Sequence, residues 1–270
     1  MNPHLYLSNL KSSRVGIITW SILIALYGLL VMYLYPAMKN ATGIAEYIQN
    51  LPEPLKEAIG ITQLLTPEGI YPLKSFVAVE FLAWAPVFVA IYAIFAAGNI
   101  AAKEVEMGTM DLLLSLPVSR TRLLASKFAV FITGLLAIQA ASMAGLAIGM
   151  YLIEDRMSLA SLALALVQAS LLVLAVGSYS LLFSCIFLNP RKTLTVSGTL
   201  TVVLYILNFM APSLGSYQWV RRLSLFHYYR TEAVINSASL DWGGVAVFLV
   251  VIAVCLASAM LIFRRRDITP

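Results

Sequence analysis

The sequence predicts an all-α polytopic membrane protein with six transmembrane helices in a single domain over residues 1–270. First, 60% of the residues are hydrophobic and 11% are charged. In soluble domains nearly half of the residues are apolar and about a quarter are charged. Second, the chain contains apolar runs near the roughly 20 residues that cross about 30 Å of hydrocarbon. Third, prolines and charged residues lie at the ends of these runs.

The six predicted spans are separated by residues that break or charge the chain. The first run, about 21 residues by its bounds, is longer than the apolar core of a signal peptide, which has about 7–15 residues, so we interpret it as a retained span. The spans cover approximately residues 15–35, 76–102, 123–152, 158–188, 194–211 and 245–263.

The distribution of Lys and Arg predicts that both termini are cytoplasmic. In that topology eleven of the 18 basic residues lie on the inner side, close to helix ends, as the positive-inside rule expects. The other seven lie mostly in two longer outer segments, 37–75 and 212–244, where the rule is weak. Near-helical apolar spacing in the first segment predicts interfacial helices, and the clustered aromatic residues of the second suit a belt at headgroup depth.

The motifs of several protein classes are absent from the sequence. No GxxxxGK[ST] pattern occurs, so the chain has no recognisable means of hydrolysing ATP itself. The HExxH and GxSxG patterns are also missing, and we predict neither enzymatic activity nor a metal or cofactor of its own. Cys185 and Cys255 lie inside apolar runs, as small buried hydrophobes do. Basic residues follow helix ends rather than one face, which argues against nucleic-acid binding.

A few polar side chains lie within or beside the spans. Glu80 is the only acidic residue inside the six runs, and a mid-membrane charge costs about 2.5–3.5 kcal/mol, so it often marks function. Together with Asn208, Tyr228 and Tyr229 it is a candidate for a substrate path or gate. The structural alternatives are contact with headgroups, hydrogen bonds between helices and an aromatic belt.

Small residues at helical spacing predict close packing of the second and third spans. Such small-xxx-small ladders let two helix backbones approach each other, and packing is the interpretation that we favour over function. The ladders are Ala93, Ala97 and Ala101 on the second span and Ala141, Gly145 and Gly149 on the third.

The polar stretch between the second and third spans, KEVEMGTMDLLLSLPVSRTR, predicts a short amphipathic helix over residues 103–116. Leucines cover most of its surface, Pro117 ends it, and Ser119 caps the following span. We expect the helix to lie on the cytoplasmic surface and to present an acidic stripe to a basic partner; a plain interfacial linker is the alternative. The stripe consists of Glu104, Gly108, Asp111 and Ser115.

The run EVEMGTMDLLLSLPVSR resembles the E-x-E-x-G-T-x-x-x-L-L-x-x-P-V-S-R block of ABC-2-type permeases, the membrane subunits of ATP-driven exporters. LPEPLKEAIG and LSLFHYYRTEA are similar to the two outer motifs of that family, and the resemblance implies re-entrant or interfacial helices between the fifth and sixth spans. Val105 in the central block and Leu225 in the second outer motif depart from the family pattern. In the family the block forms the coupling helix that docks on the ATP-binding subunit. The matching docking residues are Glu104, Glu106, Gly108, Thr109, Asp111, Leu113, Leu114, Pro117, Ser119 and Arg120.

The resemblance implies a permease subunit of an ABC exporter in the cytoplasmic membrane of a prokaryote. It implies two ATP-binding subunits, which carry ATP and Mg, and a second permease copy that is identical or homologous. The segment 4–14 would aid docking, and the first, second and fifth spans would move at the dimer interface. The residues expected to line the interior are Ala, Leu, Ser and aromatic rather than charged, which favours an amphiphile, drug, peptide or lipid-like molecule as cargo. An ATP-independent secondary transporter and a membrane-embedded assembly factor or enzyme are the alternatives.

Overall fold

The computed structural model describes residues 3–39, 51, 52, 55, 72–108, 120–210 and 219–265. Within these residues every regular element is helical, and six helical stretches are long and apolar enough to cross a membrane. The six-span prediction is therefore confirmed, and the chain is a multi-pass membrane protein. Its helices are α1 (Pro3–Lys39), α2 (Leu73–Phe76), α3 (Ala85–Glu106), α4 (Arg120–Leu152), α5 (Leu159–Phe187), α6 (Pro190–Met210), α7 (Thr231–Ser237) and α8 (Trp242–Arg265).

The predicted span boundaries agree with the structure to within about four residues, except at the start of α1. That helix begins at Pro3, twelve residues before the predicted start, and it continues through Pro36 to Lys39. The apolar run marks only the part of a helix that suits hydrocarbon, and polar residues can extend the same helix beyond it. The first outer segment, with its motif LPEPLKEAIG, lies almost entirely outside the described residues.

The second span is a composite of three pieces. After α2 the chain forms one π-helical stretch, Val77–Leu82, and then a turn at Ala83 and Trp84 before α3 begins. Pro86 lies in the first turn of α3, where its missing N–H costs little. Glu80 lies on the π-helical stretch, a form that occurs mostly as short insertions and frequently at functional sites.

α5 is the centre of the bundle, since it contacts α3, α4, α6, α7 and α8. The small-residue ladder of the second span lies at its contact with α5: Ala93, Ala97 and Ala101 are at most 1% exposed. The Ala101 N–H donates a 3.1 Å hydrogen bond to Oγ of Ser184 on α5, so the two helices pack closely at this small residue, as the spacing predicted.

α1 packs along α4 through the second ladder. A Cβ atom added at Gly145 would overlap the backbone of Ala25, and one at Gly149 would overlap the side chain of Met32. The close approach predicted for the third span is confirmed, and it joins α1 to α4 over several turns.

Short helices lie between the fifth and sixth spans, as predicted. A 3-10 turn, Leu225–Tyr228, precedes α7. The Tyr228 carbonyl accepts a hydrogen bond of 3.1 Å from Nε2 of Gln168 on α5, and Gly244 on α8 lets this carbonyl approach closely. The Tyr229 hydroxyl donates a 3.0 Å hydrogen bond to the carbonyl of Leu82. These contacts tie the segment to α5, α8 and the π-helical stretch.

The prediction of one helix over residues 103–116 is wrong at its beginning. Residues 103–106 are the last turn of α3, and Gly108 follows with a φ of 65°, in the left-handed region. Glycine adopts this conformation readily and commonly ends helices there. Glu104 therefore belongs to the last turn of α3, which ends before Gly108. The remainder of the predicted coupling helix, residues 109–119, lies outside the described residues.

Candidate functional site

The structure places the first predicted docking residues at the end of α3. Glu104 and Glu106 lie in its last turn, and Gly108 begins the connection to α4. Arg120 is the first residue of α4, although its side chain lies outside the described part of the chain. The other predicted docking residues also lie outside it: Thr109, Asp111, Leu113, Leu114, Pro117 and Ser119.

Glu104 forms an ion pair with Lys127, which lies two turns into α4. The Lys127 ammonium donates a hydrogen bond to the Glu104 carboxylate. The two side chains are only 20% and 12% exposed. Glu104 thus faces α4 rather than pointing outward, whereas Glu106 is exposed. The periodicity of the sequence did not reveal this difference between the two acids.

This ion pair joins the two helices between which the predicted docking segment runs. The segment leaves α3 after Glu106 and enters α4 at Arg120, so the pair lies close to both of its ends. The pair therefore links the two helix ends that border the segment, and α4 is in turn tightly packed against α1.

A cleft of about 460 Å³ lies beside the ion pair, between α1, α3 and α4. Its polar lining comes from α1 and the end of α3, and Glu104 and Lys127 themselves line it. Among the described lining residues two lysines face one glutamate, which leaves a net charge of +1. The other polar residues of the lining are Asn9, Ser12, Ser13, Asn99 and Lys103.

The apolar wall of the cleft is aromatic. The ring of Trp20 lies 6.3 Å from that of Tyr92, which in turn stacks 5.9 Å from that of Phe131. Gly134 on α4 makes room for Tyr92, since a Cβ atom there would overlap the tyrosine hydroxyl. Phe95 adds a ring that is 54% exposed. The cleft is therefore amphipathic, with charges near one end of the helices and rings further along them.

The predicted path or gate residues lie elsewhere, around the segment between α6 and α8. Glu80 is exposed on the π-helical stretch, and its backbone carbonyl, not its carboxylate, accepts a hydrogen bond from Tyr27. Asn208 accepts a 3.0 Å hydrogen bond from Nε of Arg221. The hydroxyl of Tyr228 donates to the carbonyl of Arg222.

Tyr229 is hydrogen-bonded to the π-helical stretch that carries Glu80, since its hydroxyl donates to the carbonyl of Leu82. Burial raises the pKa of Tyr229, so its hydroxyl stays a donor. Within the described residues, no hydrogen bond joins the four side chains to one another. Their contacts hold the segment in place, and a path or gate remains a prediction.

His227 lies in the same segment with part of its ring buried. Burial, and then Arg221, Arg230 and Arg222, lower the pKa of His227, while Asp241 acts weakly in the opposite direction. The imidazole is therefore neutral in the folded protein near neutral pH. In the described part of the chain, no group of three His, Cys, Asp or Glu side chains is arranged to hold a metal ion.

The cleft could not be predicted from the sequence, because its lining comes from three helices that are distant in the sequence. One signal was nevertheless present. Asn9, Ser13, Gly16 and Trp20 recur at helical spacing and form a polar and small face on α1. Lys127 was a second signal, since a basic residue near the start of an apolar run favours a nearby acidic partner.

Comparison with known families links these features to a class of proteins. The family model described as multidrug efflux system permease Rv1217c, C-terminal domain, matches residues 9–264. The match covers all six spans, the cleft and the connection between α3 and α4. No curated protein matches the chain.

Proposed function

The chain belongs to the multidrug efflux permease family whose model it matches, and from this premise we propose that it is the membrane permease of an ABC exporter. In this proposal ATP is hydrolysed on separate subunits, and the permease moves an amphiphilic, drug-like, peptide or lipid-like cargo out of the cytoplasm. The family assignment agrees with the resemblance of the central block to ABC-2-type permeases. A transporter that works without ATP is the alternative to be tested.

The observation that carries the proposal is the ion pair between Glu104 and Lys127. It fastens α3 to α4 at the place where the docking segment leaves one helix and enters the other. A partner that binds the segment can thus displace two spans as a unit.

The proposed cycle uses two ATP-binding subunits and two permeases in the cytoplasmic membrane of a prokaryote, with both permease termini inside. Closure of the ATP-binding subunits moves the docking segments, and with them α3, α4 and the α1 helix packed on α4. The permease contributes a different affinity for cargo in the two states, and ATP hydrolysis supplies the work. ATP and Mg stay on the partner subunits.

Docking is tested by co-expressing the permease with an ATP-binding subunit from its own genome and purifying the two together. Glu106→Gln combined with Asp111→Asn should lower capture roughly 5- to 30-fold, since exposed ion pairs contribute about 0.5–1 kcal/mol each. Glu154→Gln is the matched control, because this exposed acid lies at the far end of α4. Equal capture by the docking variant and the control would contradict the docking assignment.

Dependence on ATP is tested in inside-out vesicles that contain the assembled complex. Uptake of a fluorescent drug should require ATP and should stop when the ATP-binding subunit carries an inactivating substitution at its own catalytic site. Uptake that persists in that variant and follows an imposed ion gradient would favour the secondary transporter instead.

A further inference from the structure

We propose that the cleft between α1, α3 and α4 is a loading site for an anionic amphiphile. The acidic head of the ligand would bind near Lys103, and its apolar body would lie on the aromatic wall. The inference deepens the proposed function and rests on it for the role in export. Binding itself can be measured without any ATP-binding subunit.

The size and lining of the cleft suit a drug-sized molecule. Its volume of about 460 Å³ falls in the range of about 300–1,000 Å³ that ligand pockets occupy. Trp20, Tyr92 and Phe131 form a nearly continuous run of rings, and Phe95 is more than half exposed beside them. An aromatic wall with polar groups at one end matches a ligand that is apolar along most of its length.

The charge of the lining selects the head of the ligand. Lys127 is held by Glu104, whereas Lys103 is exposed and forms no ion pair with another described residue. The described lining thus keeps one positive charge without a partner, and an acidic head group would provide the negative charge that pairs with it. Asn9 and Asn99 lie close to the same end of the cleft, and each keeps one amide N–H besides the one that bonds the carbonyl of Leu5 or Phe95. A cationic head would meet repulsion there.

The position of the ion pair connects the cleft with the docking segment. Because Glu104 and Lys127 line the cleft, an arriving anion competes with the Glu104 carboxylate for the Lys127 ammonium. Occupancy would therefore loosen the contact between α3 and α4 where the segment begins. By this route cargo binding in the cleft would act on the predicted docking segment and so on the ATP-binding subunit.

Quenching of Trp20 fluorescence measures binding in the cleft directly. We would replace the three other tryptophans with Phe and place the protein in nanodiscs of zwitterionic lipid. The probes are 9,10-dibromostearate and a dibrominated octadecyl trimethylammonium, since bromine quenches indole on contact. We expect saturable quenching by the anionic probe, with an affinity at least fivefold higher than that of the cationic probe.

Two variants alter the cleft in different ways, and each has a matched control. A Cβ atom at Gly16 meets nothing within 4 Å, so Gly16→Leu fills the cleft without disturbing a helix, and Gly198→Leu places the same side chain in open space on α6. Lys103→Gln removes the free charge, and Lys192→Gln removes an exposed lysine from the start of α6. Both cleft variants should bind the anionic probe at least tenfold more weakly, and both controls should bind normally.

A second pair of probes identifies the source of the amphiphile. Dibrominated phosphatidylglycerol, mixed into the nanodisc, tests for an anionic bilayer lipid, and dibromostearate tests for a free amphiphile. Quenching by either probe that is lost in Gly16→Leu supports the site. Quenching that does not saturate, that ignores the sign of the head, or that survives both cleft variants would overturn it. In that case ATP-driven uptake would continue unchanged in the cleft variants, and the proposed function would stand without the site.

Discussion

Removing one charge of the pair between Glu104 and Lys127 should destabilise the protein strongly. Glu104→Gln leaves the Lys127 ammonium, which is only 12% exposed, without its carboxylate. Lys127→Gln leaves a carboxylate that is 20% exposed. In each variant the remaining charge stays partly withdrawn from water and loses this contact with an opposite charge.

The size of the effect follows from the burial of the pair. At an effective dielectric constant of about 20, two unit charges in contact gain about 4 kcal/mol, and desolvation offsets much of that gain. Breaking a fully buried pair on one side costs roughly 3–5 kcal/mol, because the desolvation cost of the other charge remains, and this partly buried pair should lie at the lower end of that range. We take about 3 kcal/mol for each single variant. For a chain of this size that corresponds to a melting temperature lowered by roughly 6–12 °C.

A double-mutant cycle separates the pair from other effects. We would measure the free energy of unfolding in detergent for both single variants and for Glu104→Gln combined with Lys127→Gln. The double variant loses the pair only once, so its cost should resemble that of one single variant and give a coupling energy of about 3 kcal/mol. Exchanging the two residues, Glu104→Lys with Lys127→Glu, should recover most of the lost stability.

Arg122→Gln is the matched control, since this exposed residue lies in the first turn of α4 and should change stability by about 0.5 kcal/mol at most. Effects of the two single variants that simply add, with a coupling energy below about 0.5 kcal/mol, would refute the pairing. The exchanged variant gives an independent check, because failure to recover stability would mean that geometry rather than charge opposition is decisive.

Three further predictions concern packing, the outer segment and pH. Gly145→Ala should cost about 1–3 kcal/mol, since its Cβ atom would overlap the backbone of Ala25, whereas Gly198→Ala should be nearly neutral in the same thermal assay. Tyr229→Phe removes a 3.0 Å hydrogen bond and should cost about 1–2 kcal/mol and increase proteolysis near the short helices, while unchanged stability and proteolysis would show that the bond is dispensable. The pKa of His227 lies below its ordinary value of 6.5, so the unfolded chain binds the proton first and stability should fall as the pH drops below about 6.5; an equal slope in His227→Gln would contradict this assignment.

The spans were predictable because hydrophobic length is a strong and local signal. In hydrocarbon the backbone N–H and C=O groups find no water to bond, so each long apolar run must form a helix that pairs these groups internally. The small-residue ladders were also predictable from a local signal. Gly145 and Gly149 lie four residues apart on one helix, and this spacing alone indicates a face on which another helix can approach closely. The early start of α1 was not, because hydropathy carries no information about a helix once it leaves the membrane.

The functional surface was harder to predict because its residues meet only in three dimensions. Helical periodicity put Glu104 on one stripe with Asp111, but Gly108 ends α3 between them. The partner of Glu104 is Lys127, which is 23 residues away in the sequence. A pairing at that distance depends on how α3 packs against α4, and no repeat within either helix encodes it.

The chemistry of the pair itself argues for a role beyond stability. Well-packed apolar side chains often hold two helices as firmly as a buried ion pair does, or more firmly by about 1–4 kcal/mol. Glu104→Met combined with Lys127→Leu should therefore keep the melting temperature of the parent protein. If the pair transmits cargo binding to the docking segment, the same variant should abolish stimulation of ATP hydrolysis by an anionic amphiphile while basal hydrolysis by the complex persists. Stimulation at the parental level in this stable variant would show that the ion pair only holds α3 and α4 together.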